Sequence, residues 1–315
     1  MRLAFVFPGQ GSFRAGCLDP WEGHPAARLV DEVSEATGRD IRALAADGGT
    51  GARTADAQPT IMTASLVAWR ALLDAGIAPD VVAGHSLGEA TAAIASGALS
   101  VTDGARVVAA RGAAMGEACA ANPGAMAALV KLGPDAVQVL VDEDDDVVVA
   151  NDNAPGQVVL AGTPAAIERI RERAREAGGR ALPLDVEGAF HSPAMAPAVP
   201  HLSAALAAST LQAPTVPLVT GTTTEVLRDG DAIAQALVQG VLAPVRWRDL
   251  QVTLASLGVR DLVEVGPGGV LAGLAKRTVP DLRVHTVASP GDVASLIDDL
   301  GDVIDLAGRF ADTRA

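Results

Sequence analysis

Lysine is almost absent from this chain of 315 residues, cysteine occurs only twice, and no apolar stretch free of charges is long enough to span a bilayer. Each scarcity excludes something. Cys17 and Cys119 have no metal-ligand spacing and lie away from any motif of catalytic character, so they read as ordinary thiols of a reduced, cytoplasmic protein without a metal site. The strand-like Leu3-Ala4-Phe5-Val6-Phe7 begins almost at once and leaves no room for a signal peptide. Lys and Arg number 24 against 38 Asp and Glu, a formal charge of −14. That field repels polyanions, so neither nucleic acid nor an anionic membrane is expected as a partner. Low-complexity tracts are missing too, and 49% of the residues are hydrophobic. At this length such content predicts a packed core in one large domain, or in a large domain and a small one.

What is present is organised around Val81-Val82-Ala83-Gly84-His85-Ser86-Leu87-Gly88-Glu89. A β-branched run reaches a glycine, and an Ala-rich helical pattern leaves from the next glycine, with one serine between them as Gly-x-Ser-x-Gly. Two residues without Cβ let a strand turn sharply into a helix. The turn pushes Ser86 into the open with a helix N-terminus behind it. Free N–H groups of that end, starting with Leu87, can receive a negative oxygen developing on a carbonyl.

Around this turn, strands and helices alternate in the manner of an α/β fold with parallel strands. Residues 3–7 read as a buried strand running into the loop Pro8-Gly9-Gln10-Gly11-Ser12, which lacks the Gly-Lys-Ser/Thr of a phosphate loop. Helices are expected at 24–37, from the Gln58-Pro59 punctuation to 75, at 88–96 and at 102–118. From about 124 to 188 the order becomes β-α-β-β-α-β, with strands at 126–130, 147–150, 158–161 and 181–186 and helices at 134–141 and 164–177. That is the split pattern of ferredoxin-like folds. We therefore expect a discontinuous large domain, 1–123 and 189–315, with a small subdomain of residues 124–188 inserted in it. Helices at 197–208, 231–240, 247–257, 270–276 and 291–308 and strands at 216–219, 261–265 and 283–287 complete the large domain. The cleft between the two is the natural place for a substrate.

A serine hydroxyl needs a base, and the chain offers His24, His85, His191, His201 and His285. His85 adjoins Ser86, and neighbours at such a turn point different ways. His24 and His201 lie in polar or helical surroundings. His191 sits where the chain leaves the small subdomain, and so on the cleft. His285 falls in a late strand, the position an α/β-hydrolase would use; a serine esterase or thioesterase built on Ser86 and His285 is therefore the competing enzyme.

Several motifs stand in one order: Phe7-Pro8-Gly9-Gln10-Gly11-Ser12, Gln58-Pro59, Gly84-His85-Ser86-Leu87-Gly88-Glu89, Arg111-Gly112 with Met115, Gly124-Ala125-Met126, Phe190-His191-Ser192, Pro244-Val245-Arg246-Trp247 and Glu264-Val265-Gly266-Pro267-Gly268. Over residues 3–290 this series resembles the malonyl-CoA:acyl carrier protein transacylase family, which includes discrete acyltransferases of polyketide synthases. The resemblance implies an α/β-hydrolase-like large domain with a ferredoxin-like insert. It implies malonyl transfer from malonyl-CoA, with no bound cofactor, to the phosphopantetheine thiol of an acyl carrier protein, by a ping-pong route through malonyl-Ser86. Ser86 matches the family nucleophile and His191 its general base. The backbone N–H groups of Gln10 and Leu87 match the oxyanion hole, where losing one donor costs about 3 kcal/mol of barrier.

Arg111 matches the arginine that pairs with the free carboxylate of malonate, a task suited to a guanidinium fork. Phe190 resembles the malonyl-selecting form of its loop, and Gln58, Asn151 and Asn153 match positions near the site. Two departures stand out. Phe13 occupies a position where the family often has Gln, and Gly240, with Gln239 alongside, occupies the one whose backbone carbonyl orients the histidine. A backbone acceptor survives that second change.

Carrier docking against an acidic chain needs a local basic patch. Arg169, Arg171, Arg173 and Arg175 on the insert helix are one candidate, although alternation with Glu reads first as a solvated face; Lys276 and Arg277 are another. The expected protein is a monomeric, cytoplasmic acyltransferase of fatty acid or polyketide biosynthesis. Transfer of another acyl group in polyketide synthesis, or a non-catalytic role beside a synthase, are the remaining alternatives.

Overall fold

Apolar residues in an unbroken run make the first strand, β1 (Arg2–Phe7), which is buried along all but its first residue. The computed structural model describes residues 2–301. Beyond β1 come α1 (Arg28–Thr37), α2 (Ile41–Ala46), α3 (Thr54–Asp74), β2 (Val81–Gly84), α4 (Leu87–Ala95) and α5 (Val101–Ala121). The middle of the chain forms β3 (Ala125–Val130), α6 (Pro134–Asp142), β4 (Val147–Ala154), β5 (Gln157–Gly162), α7 (Pro164–Glu176) and β6 (Arg180–Pro183). The remainder forms α8 (Ala198–Ala207), β7 (Leu218–Val219), β8 (Val226–Leu227), α9 (Gly230–Gln239), α10 (Trp247–Ser256), β9 (Val259–Val265), α11 (Val270–Thr278), β10 (Arg283–Val287) and α12 (Pro290–Gly301).

The fold is α/β. One sheet has the order β10-β9-β1-β2-β7-β8, with β1 paired in parallel to β2 and β9. Because side chains alternate along a strand, Leu3, Phe5 and Phe7 enter one core under α3, α4 and α5, while Ala4 and Val6 enter a second under α10 and α11. Burial on both faces suits central parallel strands. A second, wholly antiparallel sheet has the order β4-β5-β3-β6. Leu129 and Leu160 on one of its faces pack under α6 and α7 with Ile167 and Ile170, and Met126 and Val159 on the other face look toward the large sheet. The small sheet is tied to the segment that leads into α10, where the Val245 N–H donates to Ala150 and the Val245 carbonyl accepts from Asp152, both at 2.9 Å.

Four details differ from the sequence-based expectation. The large sheet is mixed rather than purely parallel: β8 turns straight back on β7, and so short a connection permits only antiparallel pairing. A short helix, α2, lies in a stretch where none was expected, capped by the Asp40 side chain on the Ala43 N–H. The strand expected to reach 186 ends at Pro183, with one further backbone bond to β3 from the Leu184 N–H to the Met126 carbonyl at 2.9 Å. The last helix covers Pro290–Gly301, and its expected continuation to 308 lies outside the described residues.

The fourth is α3, which starts at Thr54 and runs through Pro59 instead of starting there. An internal proline removes one helical hydrogen bond and orphans the carbonyl four residues earlier. Here that carbonyl belongs to Ala55, and Arg39 Nη1 donates to it at 2.7 Å while the same guanidinium pairs with Asp56. The Thr54 N–H at the helix start donates to Glu187 at 2.8 Å, from the segment leaving β6. Replacement of Arg39 by Ala should lower stability by about 1–3 kcal/mol in urea unfolding, the cost of stranding a carbonyl. Pro59→Ala in that background should recover part of the loss by supplying an N–H.

Candidate active site

Ser86 stands between the end of β2 and the start of α4 with φ 53° and ψ −110°, a conformation unusual for a residue with a side chain. The flanking glycines make the turn possible. A Cβ on Gly84 would lie 1.9 Å from the Gly88 backbone, and one on Gly88 would lie 1.9 Å from the carbonyl oxygen of Phe7 at the end of β1. The Ser86 side chain makes no cap hydrogen bond to its own helix and is left for other partners.

Those partners are two. His191 Nε2 is 2.8 Å from Ser86 Oγ, and Arg111 Nη2 donates to the same oxygen at 3.3 Å. His191 belongs to the loop that leaves the small sheet, has φ 56°, and is followed by Ser192, whose hydroxyl ties the loop back to the Ala189 carbonyl at 2.6 Å. Its Nδ1–H donates to the carbonyls of Gly240 at 2.8 Å and Ala243 at 3.2 Å. Gly240 closes α9, so its carbonyl is one of those a helix end leaves free. With the proton on Nδ1, the lone pair on Nε2 faces the serine O–H. Burial, reinforced by the charge of Arg111, pushes the imidazole down to about 3, so it is neutral at physiological pH.

Arg111 comes from the middle of α5 and is 4% exposed. Gln58 on α3 accepts from its Nη1 at 2.6 Å, and the Gln58 amide in turn reaches the Met115 sulfur at 3.5 Å. Burial brings the guanidinium down to about 10, which still leaves it charged at neutral pH; the Glu89 carboxylate works against the shift. Opposite these groups, the N–H groups of Gln10 and Leu87 stand at the first positions of their helical turns, and among the described residues neither donates a hydrogen bond. A cavity of about 240 Å³ opens there, with Gln10, Ser86, Asn151, Asn153, Phe190 and His191 among its walls.

The arrangement can withdraw a proton from a hydroxyl, hold a negative oxygen at backbone N–H groups, and neutralise a second negative group at a guanidinium. The expected residues Ser86, His191, Arg111, Gln58 and Gly240 join in one hydrogen-bonded chain. Asn153 Oδ1 accepts from His85 Nε2–H at 2.8 Å, which turns the His85 ring away from Ser86. Asn151 contributes through its backbone at the junction with Val245.

The other histidines are engaged elsewhere. His285 lies with Asp261 and Asp299, His24 caps a short turn at Ala26, and His201 is exposed on α8. Of the arginines on α7, Arg169, Arg171 and Arg173 pair with Asp144, Glu168 and Glu143, and Arg277 donates to Gln157. Glu89, buried behind the serine, stands in the sequence only as the last residue of the Gly84–Glu89 motif, with no role of its own; a lone carboxylate in a helix otherwise made of small and apolar residues is the available signal. Among the described residues no three His, Cys, Asp or Glu side chains could hold a metal ion, and no helix is long and apolar enough to cross a membrane.

The folded imidazole of His191, at about 3, refuses a proton that the unfolded one binds below its ordinary 6.5. Stability owed to the neutral ring is therefore complete above that range and falls as pH drops through it. Urea unfolding at about pH 7.5 and about pH 5 should show the protein losing about 2 kcal/mol more than its His191→Gln variant.

The acyl transferase domain family matches residues 4–306 of the chain. A malonyl CoA-acyl carrier protein transacylase of Bacillus subtilis (strain 168) is 37% identical, over 97% of this chain and 99% of its own length. Among solved structures, an acyl-carrier-protein S-malonyltransferase from Burkholderia pseudomallei 1710b superposes with a TM-score of 0.89 at 41% identity, covering 95% of this chain and all (100%) of the other. A malonyl-transacylase in complex with its type II PKS acyl-carrier protein superposes at 0.90 with 33% identity, again over 95% of this chain and 100% of that one.

Proposed function

This chain belongs to the acyl transferase domain family, and we propose that it moves malonyl from coenzyme A to the phosphopantetheine thiol of an acyl carrier protein through malonyl-Ser86. The observation that carries the reading is the convergence of His191 and Arg111 on one oxygen, Ser86 Oγ, from two distant parts of the chain. Ser86 attacks the thioester carbonyl as its proton passes to His191 Nε2. The oxyanion rests on the N–H groups of Gln10 and Leu87, and collapse expels coenzyme A, whose sulfur takes the proton from the imidazolium. In the second half His191 takes the proton of the carrier thiol, which attacks the acyl-serine, and the proton returns to Ser86 Oγ.

Arg111 supplies selectivity. Malonate brings a carboxylate to the guanidinium, whereas acetyl would leave a buried cation without one, a penalty of about 3–5 kcal/mol. Phe190, on the wall beside the base, crowds a methyl branch on the acyl chain. The architecture belongs to the same reading. The β-α-β-β-α-β order and the β4-β5-β3-β6 arrangement support a ferredoxin-like insert at 124–188, and the parallel strands around the Ser86 turn support an α/β-hydrolase-like large domain before and after it.

Brief incubation with malonyl-CoA should add one malonyl group to the intact protein by mass, and Ser86→Ala should abolish the adduct. An unmodified wild-type protein would overturn the proposal. His191→Ala should slow acylation by roughly 10²–10⁴-fold, as loss of a general base does. His285→Ala should leave the rate unchanged, and loss with that variant alone would favour a hydrolase. Arg111→Ala should lower kcat/KM for malonyl-CoA by about 10²–10³-fold while sparing acetyl-CoA, measured as transfer to a carrier protein.

A further inference from the structure

Glu89 is buried, acidic and unused by the steps above. It sits in the first turn of α4 behind Ser86, with 5% of its surface exposed. Both carboxylate oxygens are held by neutral donors: the Thr220 hydroxyl at 2.6 Å and the Gly221 N–H at 3.1 Å, just beyond the end of β7. Arg111 is equally buried, and its guanidinium is taken by Gln58 and Ser86, again neutral groups. The two opposite charges form no direct ion pair, yet they line one cavity of about 10 Å³ together with Ser86 and His191.

A buried carboxylate without a cation in contact is costly, and so is a buried guanidinium without an anion. Across a small cavity in a medium of low dielectric, each still feels the other. Gripped by Thr220 and Gly221, Glu89 can balance the charge of Arg111 but cannot reach it and occupy the place of an incoming carboxylate.

We infer that Glu89 is a positioning residue that acts through Arg111: a fixed counter-charge, tethered by Thr220, that sets how tightly the guanidinium holds the malonyl carboxylate. The inference rests on the malonyl-transfer reading of the site. With the tether intact, Glu89 keeps the empty site electrically balanced and loosens the grip on malonate, so that the acyl group can leave for the carrier thiol. Burial raises the carboxylate above its usual range; the hydrogen bonds from Thr220 and Gly221, and after them the charge of Arg111, oppose that rise.

Two substitutions should act in opposite senses on the ratio of kcat/KM for malonyl-CoA to that for acetyl-CoA. Glu89→Gln removes the competing anion and should raise the ratio roughly fivefold or more, through a lower KM for malonyl-CoA. Thr220→Val leaves the carboxylate held by the Gly221 N–H alone, lets its other oxygen turn toward Arg111 and should lower the ratio by a similar factor, with Thr220→Ser restoring it. A role confined to folding would leave the ratio unmoved, or move it the same way in both variants. Either result, or any other pattern, overturns the inference. Should Glu89→Gln fail to fold, the response to Thr220→Val and its rescue by Ser decide the matter. Intact mass of the wild-type protein after malonyl-CoA separates the two levels: absence of the adduct removes the proposed function, whereas a malonylated wild type with unresponsive variants removes only the role of Glu89.

Discussion

The cleft is registered to one steric contact, that of Gly88 against the carbonyl of Phe7 at the end of β1. Only a residue without Cβ allows α4 to start this close to the neighbouring strand, and Gly84 closes on Gly88 under the same constraint. With both ends of the turn pinned, Ser86 is held in its left-handed conformation, and its hydroxyl is denied the usual capping partners of a helix start. The His85 N–H donates to that same Phe7 carbonyl at 3.0 Å, and a Cβ on Gly9 would lie 2.9 Å from the His85 carbonyl oxygen. Thus the serine, the Gln10 loop and the start of α4 form one packed unit at the tip of the central strands.

Charge is arranged around that unit with unusual economy of contact. Arg111, His191 and Glu89 are all buried within one hydrogen-bonding or electrostatic step of the serine. Neither of the two charged groups, Arg111 and Glu89, has a direct partner of opposite charge among the described residues. Neutral acceptors and donors hold each in place instead: Gln58 for the arginine, the Gly240 and Ala243 carbonyls for the imidazole, Thr220 and Gly221 for the carboxylate. Such clamps fix geometry without cancelling the charges. They leave the guanidinium able to receive an anion and the imidazole able to receive a proton. Removing water from the site strengthens both effects.

Much of this was legible along the chain. Ser86 declares itself because a β-branched run, two glycines and an Ala-rich helix are all local features. The alternation of strands and helices likewise announces an α/β fold. Pro59 misled, because a proline reads locally as a boundary, and nothing near it in sequence says that Arg39 will cap the carbonyl it orphans. The strand β8 was missed since two residues carry no periodic signal, and its antiparallel sense comes from the tightness of the turn at 220–225. Glu89 was read as part of a motif and not as a charge, because burial is a property of the packed molecule.

The sequence by itself determined the local matters: which segments form strands and helices, where the chain must turn sharply, and that a single serine stands at that turn. These follow from side-chain period, propensity and the absence of a Cβ, which act over a few residues. Tertiary structure alone decided that His191 and Arg111, which the sequence marks only through an ordered set of motifs, meet on the serine oxygen, and that the Ala243 carbonyl joins that of Gly240 in orienting the ring. Those choices join residues from 25 to 105 positions apart. They are made by the register of strands and the crossing of helices, which no local stretch of sequence encodes.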